Sequence, residues 1–126
     1  MKKITVALLG NPNCGKTTIF NLLTGARQHV GNWPGVTVEK KTGKLKYNNY
    51  EIEIVDLPGI YGLSSISLDE EVSLKYITEE NPDIILNILD STTLDKSFFL
   101  TTQLIDLNKD MILAFNMWDE LDKNGL

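Results

Sequence analysis

The chain is short of several residue types whose absence narrows what it does. It has one cysteine, Cys14, in 126 residues, so no intrachain disulfide forms and a reducing compartment fits. The one histidine, His29, lies in a polar stretch, where a surface position suits it better than catalysis or metal binding. No apolar run approaches the roughly 18 residues that a membrane-spanning helix needs. After Met1-Lys2-Lys3 the chain runs through Ile4–Leu9 straight into a glycine-bearing turn, too short for a signal peptide with its cleavage site. Positive charge is not in excess: the net charge is -5, which argues against a nucleic-acid partner while leaving room for a local basic patch. Repeats, low-complexity tracts and linkers are missing too, and 42% hydrophobic with 23% charged residues is ordinary globular material for one domain with one core.

What is present begins with Gly10-Asn11-Pro12-Asn13-Cys14-Gly15-Lys16-Thr17, which fits G-x-x-x-x-G-K-[ST]. An apolar run precedes it, and Thr18-Ile19-Phe20-Asn21-Leu22-Leu23 follows with helical spacing, so the reading is strand, loop, helix. Two glycines let the backbone curl until successive N–H groups point inward, and the positive end of the following helix completes an anion cradle. In such a loop Lys16 reaches terminal phosphates and the Thr17 hydroxyl binds magnesium.

The rest of the chain reads as alternating strands and helices. The expected elements are a strand over 3–9, a helix over 16–24 stopped by Gly25, a long polar loop from Ala26 to Glu39, and strands over 40–47 and 50–55. Asn48-Asn49 makes a tight turn between the last two, the two asparagines supplying its positive backbone angles. Then come a helix from Leu68 to about Glu79, a buried strand over 84–89, a helix over 94–107 and a strand over 111–116. The order predicts an α/β fold: an open, mostly parallel sheet with one antiparallel hairpin and helices on both faces. Ligands of such sheets bind at the carboxyl ends of strands, and the polar segments after Leu9, Val55, Leu89 and Phe115 all fall there.

Two further motifs carry chemistry. In Asp56-Leu57-Pro58-Gly59 the carboxylate is placed to hold the water shell of magnesium and the Gly59 amide to meet a terminal phosphate, although alone the run is an ordinary turn. In Asn116-Met117-Trp118-Asp119 a carboxylate suits the N1 and N2 groups of guanine, which adenine does not offer, and Asn116 suits the other edge of the base. Alone, that run is a helix cap.

The three motifs in this order resemble the Ras-like P-loop GTPases, a three-layer α/β fold. The runs Gly10–Thr18, Gly31-Asn32-Trp33-Pro34-Gly35-Val36-Thr37-Val38-Glu39, Asp56–Tyr61 and Asn116–Glu120 more narrowly resemble the amino-terminal G domain of the bacterial ferrous iron transport protein B family. That resemblance implies GTP binding and slow hydrolysis to GDP and phosphate. It implies a first switch over 27–42 and a second over 56–72. By that resemblance Thr37, beside Gly35 and Val36, is the threonine that closes onto magnesium with Thr17 and Asp56, although the bare sequence gives it no privilege over Thr42. It also implies a cytoplasmic regulatory domain, soluble by itself, joined to a helical spacer and a membrane region that passes Fe(II) at the inner membrane. Members continue past Asn-x-x-Asp with a further motif, a last strand and a last helix, so self-association through an exposed sheet edge is a further expectation.

Ras-like enzymes place a water-positioning glutamine just after Asp-x-x-Gly, where this chain has Ile60. In potassium-activated relatives an asparagine at the Asn13 position helps hold K+ beside the phosphates, so the resemblance makes Asn13, with the loop over 31–34, the expected K+ site. The alternative is that Asn13 merely stabilises its turn. Cys14 is either a thiol activated at a helix N-terminus or a small loop residue whose backbone matters. Three competing functions stay open here: a non-catalytic GTP/GDP-sensing module, a ribosome- or tRNA-linked GTPase, and an ATP-using P-loop kinase, which would leave Asn116 and Asp119 unexplained.

Overall fold

The computed structural model describes residues 2–64 and 66–117. The apolar run expected as the first strand becomes β1 (Lys2–Gly10), and because it is central, Ala7, Leu8 and Leu9 are fully buried. β1 pairs in parallel with β4 (Tyr50–Asp56) on one side and β5 (Ile84–Asp90) on the other, and β5 pairs in parallel with β6 (Met111–Asn116). β2 (Gln28–Asn32) and β3 (Glu39–Tyr47) extend the sheet beyond β4 as antiparallel strands, giving the order β2-β3-β4-β1-β5-β6.

Alternation along the strands separates two cores. Leu8, Ile54 and Ile88 face α1 (Lys16–Thr24), which buries Phe20 against them. Ala7, Leu9, Val55 and Ile85 face the other way, toward Tyr76 and Ile77 of α2 (Leu68–Glu80) and Leu100 and Leu104 of α3 (Leu94–Ile105). The period of two along β1 thus divides its side chains between two helical layers, and the result is the expected three-layer α/β architecture. Ser67 caps α2 in a capping box with Glu70, and the Gly25 amide closes α1 on the Asn21 carbonyl.

Three details depart from the sequence reading. The polar loop expected over 26–39 contains β2, so the sheet has two antiparallel ladders rather than one hairpin. All five residues of β2 are exposed, leaving no alternation to read; pairing with β3 defines the strand. The 48–49 turn uses a left-handed backbone at Asn48 only (φ 51°). α3 ends at Ile105, and the chain turns through Asn108 at φ 58°.

Because β1, β4, β5 and β6 are parallel, their carboxyl ends lie along one edge of the sheet. Register places Leu8 opposite Asp56, Gly10 opposite Ile88 and Asp90 opposite Asn116. The three motifs, remote in sequence, are therefore neighbours.

Candidate nucleotide site

The loop after β1 curls through two left-handed residues, Asn13 at φ 65° and Gly15 at φ 87°. Cys14 N–H donates to the Asn11 carbonyl at 3.3 Å. Gly15 is also the N-cap of α1, and it has no side chain with which to satisfy the first amides of the helix. The first turn carries no acidic residue either. Uncapped amides at a helix N-terminus, approached by a glycine backbone, are what an anionic phosphate group needs.

Glycines lock the neighbouring segments together. A Cβ on Gly10 would lie 2.6 Å from Cys14 Sγ and 2.8 Å from the Ile88 carbonyl oxygen. One on Gly15 would lie 2.0 Å from Asn116 Nδ2, and one on Gly59 would lie 2.9 Å from Pro12 Cα. Two backbone hydrogen bonds fix the Asp56–Gly59 turn to β1: Leu57 N–H to the Leu8 carbonyl at 3.1 Å and Ile60 N–H to the Gly10 carbonyl at 3.0 Å. Asn116 donates from Nδ2 to the Cys14 carbonyl at 2.9 Å, joining the third motif to the first.

Charge is concentrated in one pair. Lys16 Nζ meets Asp56 Oδ1, with both side chains largely buried. Each group thereby satisfies the other at a position where an unpaired charge is costly. Thr17 and Thr18 follow on the first turn of α1, both exposed. The hydroxyl of Thr17 and the carboxylate of Asp56 are hard oxygen donors, and they suit magnesium. Burial pushes the Cys14 thiol above its usual range, against smaller opposing effects of Lys16, so it is a packed loop residue rather than an activated thiol.

The segment expected as the first switch sits elsewhere. Thr37 is exposed, on a turn closed by Trp33 N–H to the Val38 carbonyl at 2.9 Å and Val36 N–H to the Trp33 carbonyl at 3.2 Å. Trp33 is buried edge-on against Tyr76 of α2, ring centroids 5.5 Å apart, with Lys40 Nζ 4.7 Å above the indole. A groove of about 370 Å³ beside this contact is lined by Thr5, Trp33, Glu53, Lys75 and Tyr76, none of them a residue of the three motifs. Among the described residues no hydrogen bond joins Thr37, Gly35 or Val36 to the loop over 10–17. Gly31 and Asn32, expected near the K+ site, are held in the β2–β3 ladder opposite Lys40 and Glu39.

Met117 is the last described residue and takes a left-handed backbone, φ 62°. Trp118 and Asp119 lie outside the described residues. Sequence reasoning missed the support beneath the third motif: Ser91 N–H donates to the Asn116 carbonyl at 2.9 Å, and Asp90 Oδ1 accepts from Thr92 N–H at 2.9 Å. The signal was the polar run Asp90–Thr93 at a strand end. Buried Asn87 accepts from Thr101 Oγ1 at 2.5 Å, a polar tie hidden inside an apolar run.

Fold and site together define a GTP-binding G domain of the P-loop class. Comparison with known proteins narrows this. The chain matches the family described as ferrous iron transport protein B over residues 4–126, and it belongs to that family. It is 47% identical to an Fe(2+) transporter, FeoB, from Shigella flexneri over all of its own length, and it spans 17% of that protein. Among solved structures it is similar to the cytosolic domain of Legionella pneumophila FeoB (TM-score 0.91, 48% identity, 96% of this chain and 49% of that one). It is similar also to the G domain of the Thermotoga maritima FeoB iron transporter (TM-score 0.90, 44% identity, 96% of this chain and 76% of that one).

Proposed function

We propose that the chain binds GTP and GDP with magnesium and hydrolyses GTP slowly, with potassium stimulation. Its role would be that of the cytoplasmic regulatory domain of an Fe(II) transporter, joined there to a helical spacer and a membrane permease region. The observation that carries the nucleotide reading is the uncapped start of α1 beside Lys16, with Asn116 bonded to the back of the same loop. The amides from Asn13 to Thr18, with Lys16, would bind the phosphates. Thr17, Asp56 and, after rearrangement, Thr37 would hold magnesium, which neutralises charge on the terminal phosphates when bound. Gly59 would contribute its amide to the terminal phosphate, on a turn that Leu57 and Pro58 place against Pro12. Asn116, with Met117, Trp118 and Asp119, would select guanine. Asn13, exposed at the mouth of the loop, would hold K+ and so supply positive charge beside the transferred group.

A second reading, non-catalytic nucleotide sensing, is favoured by Ile60. It is buried, with its amide spent on Gly10, and has no group to orient water. Phosphate release in KCl against NaCl, for wild type and Asn13→Ala, separates the two. Faster release in KCl that Asn13→Ala abolishes supports hydrolysis. Equal rates in both salts with a wild-type rate for the variant remove the potassium claim, and no release in KCl leaves the sensing module. Tighter binding of GDP than of ADP checks the base assignment.

A further inference from the structure

Charge in this chain is divided along the sequence. Residues 1–50 carry eight lysines and arginines against one acid, Glu39, whereas residues 51–126 carry four against sixteen. Such asymmetry between halves of one domain signals a charged surface on its partner. The fold separates the halves in part: β2 and β3 form one edge of the sheet and β5, α3 and β6 lie beyond β1 on the other side, while β4, with Glu51 and Glu53, sits between β3 and β1.

The positive edge is not self-neutralised. Lys41 pairs with Glu39 at 3.4 Å and Lys44 with Glu51 at 3.8 Å. Among the described residues Lys2, Lys3, Arg27 and Lys46 have no carboxylate in ion-pair range, although Glu51 is the cross-strand neighbour of Lys46. Lys2, Lys3 and Lys46 lie at the tip end of the β3–β4 hairpin, Lys2 on one face of the sheet and Lys3 and Lys46 on the other, and Arg27 lies beside Lys44 a few residues from the tip. Lys2 N–H donates to the Asn49 carbonyl at 3.0 Å, Lys2 is registered beside Tyr50, and Tyr50 beside Tyr47. By the two-residue period, Tyr47 shares its face with Leu45, and Lys2 with Val6, both packed on the α1 side. The end of α1 lies over the same face: Gly43 touches Thr24, and the Arg27 carbonyl accepts from Lys44 N–H at 3.1 Å.

Apolar side chains are exposed among these cations. Tyr47 is 64% exposed, Tyr50 37% and Leu22, near the end of α1, 80%. Lysine and arginine interleaved with exposed tyrosine and leucine is the composition of a surface that meets a bilayer, where aromatic rings sit at headgroup level and cations meet lipid phosphates. This tip also lies at the opposite end of β1 and β4 from the nucleotide cradle.

We infer that the β3–β4 hairpin tip with Lys2, Arg27 and Lys46 is a docking surface for an anionic phospholipid bilayer, which leaves the nucleotide site facing away from the membrane. The choice of a bilayer rests on the proposed role as the cytoplasmic part of a transporter; the surface itself does not depend on nucleotide. Vesicle flotation of the chain tests it, comparing mixed phosphatidylcholine–phosphatidylglycerol with pure phosphatidylcholine. The expected result is flotation with anionic vesicles only, lost in high salt. Arg27→Gln and Lys46→Gln each lower partitioning about fivefold, and Tyr47→Ser lowers it further, while Lys96→Gln on the acidic side changes nothing. Equal binding to neutral vesicles, no binding, indifference to Arg27→Gln and Lys46→Gln, or tighter binding to an RNA oligonucleotide than to anionic vesicles overturns the inference. GDP titration of the same samples keeps the two readings separate: flotation lost with GDP binding intact refutes docking alone, and GDP binding lost with flotation intact refutes the nucleotide reading alone.

Discussion

Asn116 and Cys14 stand 102 residues apart in sequence and are joined by one hydrogen bond, side-chain amide to backbone carbonyl, at 2.9 Å. It makes the guanine motif and the phosphate loop one mechanical unit. A nucleotide bound as proposed would span both, so its two ends would meet surfaces whose separation this bond sets.

Asn116→Ala removes that tie and leaves the Cys14 carbonyl without its partner. Losing a bond of this kind costs about 1–3 kcal/mol. We therefore expect GDP to bind at least about fivefold more weakly and the preference for GDP over ADP to shrink. Calorimetric titration with both nucleotides measures each effect. Unchanged affinity and unchanged preference would show that the bond is incidental.

Trp33 belongs to the core although it lies in a connecting segment. Trp33→Ala is expected to cost about 3–5 kcal/mol in urea unfolding, the range for a large buried aromatic. The same residue would report on movement of the segment expected as the first switch. For Thr37 to reach magnesium, the turn over 33–38 must leave its seat on Tyr76. In a Trp118→Phe background, a non-hydrolysable GTP analogue should shift Trp33 emission to longer wavelength relative to GDP. Identical spectra would mean that Thr37 does not make the journey.

Burial pushes the Tyr76 hydroxyl up to about 12 from its ordinary 10.0, with smaller contributions from Glu53, Glu80 and Asp83. Because the folded-state value is the higher one, the unfolded chain loses its proton first as pH rises. The stabilisation is complete below pH 10 and is lost as pH climbs toward 12. Unfolding free energy measured across that window should fall less steeply in Tyr76→Phe than in wild type. Equal slopes would place the alkaline loss elsewhere.

How much of this was legible in sequence depends on where the determining contacts lie. Gly10–Thr17 was readable because local geometry makes it work: apolar strand, left-handed glycine, helix. The strands over 84–90 and 111–116 announced themselves as continuous apolar runs. β2 did not, since Gln28–Asn32 is polar and exposed and owes its conformation to β3. The seat of Trp33 on Tyr76 was hidden for the same reason; 43 positions separate partners that only the tertiary fold brings together. Sequence shows that Ile60 lacks a group to orient water, but not that it is a buried core residue whose amide fastens the turn after Gly59 to Gly10. The left-handed backbone of Met117 carried no signal at all, because a methionine does not advertise it.

The pairing of Lys16 with Asp56 changes what mutagenesis at this site measures. Phosphate and magnesium would each have to draw one member away from the other, so binding is an exchange of ionic partners rather than a gain of two contacts. Lys16→Ala consequently does two things: it deletes a phosphate ligand, and it strands a carboxylate that is 7% exposed. The expected consequence is a protein less stable before any nucleotide is added, and one that accepts magnesium more readily. A weakened GTP affinity in that variant is a difference between two altered states, and only Lys16→Ala combined with Asp56→Asn recovers the worth of the lysine alone.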